Sequence, residues 1–97
     1  MNKLIFIKEA KNEIQNIYDY YEAQQKKLGQ RFKSYLDEYF ITLKNHPESF
    51  AIKKYPFREI PLQKFPFVII YEFIKEKDLI IIYAIFNTRQ NPTKKPY

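Results

Sequence analysis

Apolar positions change their period along the chain. Leu4-Ile5-Phe6-Ile7 is a short continuous run between Lys3 and Lys8, rich in β-branched and aromatic side chains, and it predicts a strand. From Ala10 the steps become three and four. Ala10, Ile14, Ile17, Tyr18, Tyr21 and Leu28 share one stripe while Lys11, Asn12, Asp19, Glu22 and Lys26 fall off it, which predicts an amphipathic helix. Glu9 and Glu13 suit its first turn and Lys26 and Lys27 its last, with Gly29 expected as the left-handed residue that ends it. A second stripe follows at Phe32, Tyr35, Leu36, Tyr39, Phe40 and Leu43. It stops at Asn45-His46-Pro47, because proline disfavours helical geometry in the residue before it, and His46 is read as a cap or loop residue. Two helices joined by a few residues form an antiparallel hairpin.

Residues 46–57 carry two prolines and no period, and are expected to be loop. Three β-like runs follow: Arg58–Leu62, interrupted by Pro61; Phe65–Ile74; and Leu79–Phe86, with the hairpin-length Lys75-Glu76-Lys77-Asp78 between the last two. The order β-α-α-β-β-β predicts an α+β fold, with a helical hairpin packed on one face of a small, mainly antiparallel sheet. Ninety-seven residues leave no room for a second core, so 1–97 is read as a single domain with a basic tail from about residue 87. In Phe65–Ile74 both alternate sets are apolar apart from Glu72, and Leu79–Phe86 is apolar on both sides again. Such strands want cover on both faces. One hairpin covers one face and the tail is polar, so the second face is expected to be an exposed apolar surface for a protein partner.

Charge and aromatic content add to this picture. The net charge is +6 with nine Phe and nine Tyr. Residues 1–43 hold seven Lys/Arg against six Asp/Glu, and residues 44–97 hold ten against five, so the excess lies on the sheet half. A basic, tyrosine-bearing sheet suits single-stranded RNA. An acidic protein partner accounts for it equally well. No cysteine is present, which excludes disulfides and thiolate sites. His46 is the only histidine and Gly29 the only glycine, which excludes a histidine metal cluster, GxGxxG and the P-loop. Neither a cofactor nor a metal is expected. The apolar run at the N-terminus is too short for a signal-peptide core or a bilayer span, so the chain is read as cytoplasmic, with no membrane contact. What remains is metal-independent cleavage of an RNA phosphodiester, which needs a base, an acid and cations on the phosphate.

The element order, together with IYDYYE, LGQRF, HPESF, a lone arginine before FPFVIIYEF, and a closing IIIYAIFNTRQNP, resembles the RelE/ParE superfamily of toxins from bacterial type II toxin–antitoxin modules. The resemblance runs from about Lys3 to Pro92. It implies a cognate antitoxin as partner, in a toxin–antitoxin hetero-oligomer or with a toxin homodimer. ParE-like members inhibit DNA gyrase, and RelE-like members cut mRNA on the ribosome. RelE-like toxins place a catalytic arginine three residues before the strand tyrosine, where this chain has Val68 before Tyr71. Asn87-Thr88-Arg89-Gln90 resembles the Gly-Arg-Gln region of ParE-like members. The expectation is therefore a ParE-like gyrase inhibitor, with an mRNA endonuclease or a non-toxic basic interaction domain as the alternatives.

Arg58 and Arg89 lead the binding residues, because a guanidinium is a planar donor fork for phosphate or carboxylate. Lys53 and Lys54 are the densest basic pair of the 46–57 segment. Glu72 is read as an ion-pair partner or the rim of a binding surface. Were the chain a nuclease, Arg58, Arg89, Lys64, Tyr71 and Tyr97 would be its catalytic candidates. Tyr18, Tyr21, Tyr35 and Tyr39 are expected in the core, and Tyr20 and Ile41, off the stripes, at a partner.

Overall fold

A computed structural model describes residues 2–97. The elements run β1 (Lys3–Phe6), α1 (Lys8–Gln24), α2 (Leu28–Asn45), β2 (Ile52–Lys54), β3 (Phe57–Pro61), β4 (Phe67–Ile74) and β5 (Leu79–Asn87). They form one five-stranded sheet in the order β1-β5-β4-β3-β2. β1 runs parallel to β5, and every other pairing is antiparallel. The α+β fold expected from the periodicity is present. No helix among the described residues is long and apolar enough to cross a membrane.

Three local expectations are corrected. α1 ends at Gln24, not beyond Lys27, so Lys26 and Lys27 form the turn and Leu28 and Gly29 open α2. The left-handed residue is Lys27, with φ 73°. Gly29 is there for a different reason: a Cβ on it would lie 2.5 Å from the Tyr18 carbonyl oxygen and 2.7 Å from Glu22 Cγ, so only a hydrogen lets the helices approach. The segment 46–57 is not all loop, since it contains β2 at the edge of the sheet. Its three residues are all exposed, and so carry no apolar alternation to read.

The helices cover one sheet face, where Phe32, Leu36 and Leu43 meet Ile69, Tyr71, Ile80, Ile82 and Ile85 in a dry core. Tyr21, Tyr35 and Tyr39 pack partly buried against it, whereas Tyr18 is half-buried outside that cluster. A bulge explains why β5 is apolar on both sides. Ile70 pairs with Ala84 and Tyr71 with Ile82, leaving Tyr83 as an extra residue that shifts the alternation by one.

The second face carries Val68, Ile70, Ala84 and Phe86, and contrary to expectation it is buried within this chain. The tail covers it. Beyond β5 the chain makes a short 3₁₀ turn at Pro92–Lys94 and returns across the sheet. Tyr97 stacks on Phe57 at 5.2 Å between ring centroids. Lys95 lies over the Phe86 ring and ends on Glu59, 2.9 Å away. A polar tail can do this because lysine lays an apolar stem along the surface while its ammonium finds a partner.

Candidate functional site

The expected site residues separate into five places. Arg58 and Tyr71 are neighbours in register on β3 and β4. Both act on the segment that links α2 to β2. Arg58 Nη1 donates to the carbonyls of Phe50 at 2.7 Å and Glu48 at 3.3 Å, and the Tyr71 hydroxyl donates to the Pro47 carbonyl at 2.8 Å. Tyr71 is fully buried. Burial pushes its phenol up to about 12, against the opposing pull of the Arg58 charge. This pair is a clasp for residues 47–50, and Arg58 also lines a small cleft with Glu72.

Glu72 and Tyr97 lie on the opposite face, joined through two aromatic rings. The Tyr83 hydroxyl donates to Glu72 Oε1 at 2.9 Å, Tyr83 packs edge-on against Phe57 at 5.0 Å, and Phe57 stacks on Tyr97. Burial, and then the adjacent Glu72 carboxylate, push the Tyr83 phenol up. Glu72 is not the lone charge of this face, because Glu59 shares it and holds Lys95. Lys53 and Lys54 stand exposed on the edge strand β2, with Lys54 opposite Phe57 in register.

Lys64 belongs to the β3–β4 loop, its ammonium 5.5 Å from the centre of the Tyr35 ring. Arg89 follows β5 at the mouth of a groove of about 500 Å³ between α1 and the end of the sheet. Ile17, Tyr21, Phe67 and Ile85 give the groove apolar walls, and Tyr20, 61% exposed, stands at its edge. Glu13 closes the other end, where Oε1 accepts the Ile85 backbone N–H at 2.9 Å. That amide lies beyond the reach of β1, whose pairing stops at Phe6↔Ile82. Burial holds the Glu13 carboxyl above its ordinary range, against the pull of this hydrogen bond.

Among the described residues, then, Arg58 joins Tyr71 and Glu72 joins Tyr97, while Lys64 and Arg89 line separate clefts. Tyr83, Glu59 and Lys95 were not singled out from the sequence, and Glu13 only as a first-turn acid of the first helix. For Glu59 the signal is a polar group between Phe57 and Pro61 in the alternation of β3, whereas Lys95, in the polar tail, carries none.

The sequence matches, over residues 4–92, the family described as ParE toxin of type II toxin-antitoxin system, parDE. The chain belongs to the ParE toxin family. Solved structures agree with this ParE-family fold. A chain from a chromosomal ParDE toxin–antitoxin system of P. aeruginosa is 18% identical with a TM-score of 0.66, over 92% of this chain and 98% of that one. A chain of the intact E. coli RelBE toxin–antitoxin complex is 18% identical with a TM-score of 0.71, over 93% and 100%. The isolated E. coli RelE toxin is 17% identical with a TM-score of 0.70, over 96% and 90%. No curated protein matches the chain. At these identities the structures show a fold common to ParE-named and RelE-named proteins, and the family match is what separates the two names.

Proposed function

We propose that the chain is a cytoplasmic toxin that inhibits DNA gyrase by binding it, and that a cognate antitoxin neutralises it in a hetero-oligomeric complex. One observation carries the choice of a binding mechanism over mRNA cleavage. The residues that would have to act together on a phosphodiester are engaged elsewhere: Tyr71 on a carbonyl in the core, Arg58 on two carbonyls, and Tyr97 in an aromatic stack. General acid–base cleavage needs these groups around one phosphate. Val68, at the position of the RelE-like arginine, supports the same reading, since it lies beneath the tail in the second core. The Arg89 groove, with apolar walls and a guanidinium at its rim, has the character of a protein-contact surface. The test is gyrase-catalysed supercoiling of relaxed plasmid with increasing amounts of the purified protein. Supercoiling should fall, and antitoxin added in equal amount should restore it. Unchanged supercoiling at micromolar excess, together with mRNA cleavage on ribosomes, would replace this reading with the endonuclease.

A further inference from the structure

At the tip of the helical hairpin lies a second cleft, of about 760 Å³, formed by the α1–α2 turn, the start of α2 and the β3–β4 loop. Its volume is within the roughly 300–1,000 Å³ of ligand sites. Four cations line it, Lys26, Lys27, Arg31 and Lys64, against one carboxylate, Glu38. None of the four is in a salt bridge among the described residues.

A further acid of the hairpin, Glu22, is used on the backbone instead. Glu22 Oε2 accepts the Lys27 N–H and Oε1 accepts the Gln30 N–H, each at 3.2 Å. This clasp fixes the turn, with Lys27 in its left-handed conformation, and leaves the lysine charges free. The opposite wall is fixed in a similar way. The Tyr35 hydroxyl oxygen accepts the backbone N–H groups of Gln63 and Lys64, each at 3.2 Å, and meets the Tyr39 hydroxyl at 3.1 Å. Three hydrogen bonds thus converge on the Tyr35 oxygen. Tyr35 is a post that holds the Lys64 loop against the hairpin.

We propose that this cleft binds the phosphodiester backbone of a nucleic acid, independently of the gyrase reading. Two features favour phosphates over an acidic peptide. The cations come from three separate segments around a concavity, so they can meet successive phosphates of one strand. The side chains of Gln30 and Ser34 lie among them, and such neutral polar groups contact phosphate and sugar.

Fluorescence anisotropy with labelled single-stranded DNA, single-stranded RNA and duplex DNA of one length, alongside a poly-glutamate peptide, tests this. With four contacts at about 0.7–0.9 per phosphate, log affinity should fall against log salt with a slope of roughly −3. The double variant Arg31→Glu/Lys64→Glu should bind at least about tenfold more weakly and lose about half the slope, with an unchanged melting curve. A charge-matched control at the other end of α1, Lys8→Glu/Lys11→Glu, should stay within about twofold of wild type once net charge is allowed for. Should the double variant fail to fold, Lys26→Glu, on the exposed turn, carries the test with a loss of about threefold or more. The order of the DNA and RNA affinities identifies the source of the backbone. Wild-type affinity in the folded double variant, an equal loss in the control, or a poly-glutamate peptide that binds as tightly as any nucleic acid would overturn the proposal.

Discussion

The helix-covered face of the sheet and the tail-covered face bury side chains of the same kinds by different means. On the first, α2 places Phe32, Leu36 and Leu43 against Ile69, Ile80 and Ile82, each at most 1% exposed, and α1 adds the buried Ala10. Tyr21, Phe32, Phe65 and Phe67 add a cluster of edge-to-face and tilted ring contacts. On the second, Val68, Ile70, Ala84 and Phe86 are covered chiefly by the last few residues, held by one aromatic stack and one ion pair. Burial depth alone hides this difference: Ile70 is as fully buried as Ile69. What differs is how much chain must move to expose each. The first face opens only when the hairpin leaves, which is global unfolding. The second opens when six residues lift.

Breaking the first face should have the largest effect. Phe32→Ala removes a fully buried ring from the aromatic cluster and should cost about 3–5 kcal/mol, read by chemical denaturation. Truncation after Asn91 tests the second face. It should cost less, about 1–3 kcal/mol, because the exposed patch is small and the sheet remains held by the hairpin. Binding of an apolar dye to the folded truncated protein, absent in wild type, would accompany it. Lys95→Met leaves the Glu59 carboxylate, 8% exposed, without its cation. Its cost cannot exceed that of the truncation, because lifting the tail returns Glu59 to water. A larger cost would show that the tail is part of the main cooperative unit and erase the contrast between the faces.

The smallest effect concerns Glu13, at the boundary of α1 and β5. Its carboxyl titrates above its ordinary value of 4.5 in the folded chain. Between that value and the raised one the folded state binds more protons than the unfolded state, so this group's contribution falls as pH rises through the window and stays lost above it. Glu13→Gln keeps an acceptor for the Ile85 N–H and removes the titration. The variant should be slightly more stable than wild type at neutral pH, with the difference shrinking towards about pH 4 in thermal melts. A difference that grows as pH falls would mean that Glu13 is stabilised as a carboxylate.

Much of the fold was legible because its elements are long and periodic: α2 and β4 are present where their apolar steps placed them. The end of α1 was not legible, because Leu28 continues its stripe arithmetically although the chain reverses at Gln25. Nor was the cover of the second face, since the tail owes its position to pairs distant in sequence, Lys95 with Glu59 and Tyr97 with Phe57. Of the site residues, Arg58 and Tyr71 were named as binding or catalytic candidates from residue type, which could not reveal that both point at the carbonyls of the 47–50 segment. Arg89 was legible as an exposed guanidinium after the last strand, whereas its groove requires α1 beside β5.

On the proposed function, this ParE-family chain acts through surfaces it presents and not through acid–base chemistry on its sheet. Growth arrest on induced expression of Tyr71→Phe/Tyr97→Phe tests this most directly. The double variant removes both candidate phenols while keeping the buried ring and the stack on Phe57, at a cost of about 1–2 kcal/mol for the lost hydrogen bond to Pro47. The account predicts arrest as strong as wild type from the folded variant. A folded variant that no longer arrests growth, beside a wild type that does, would contradict it.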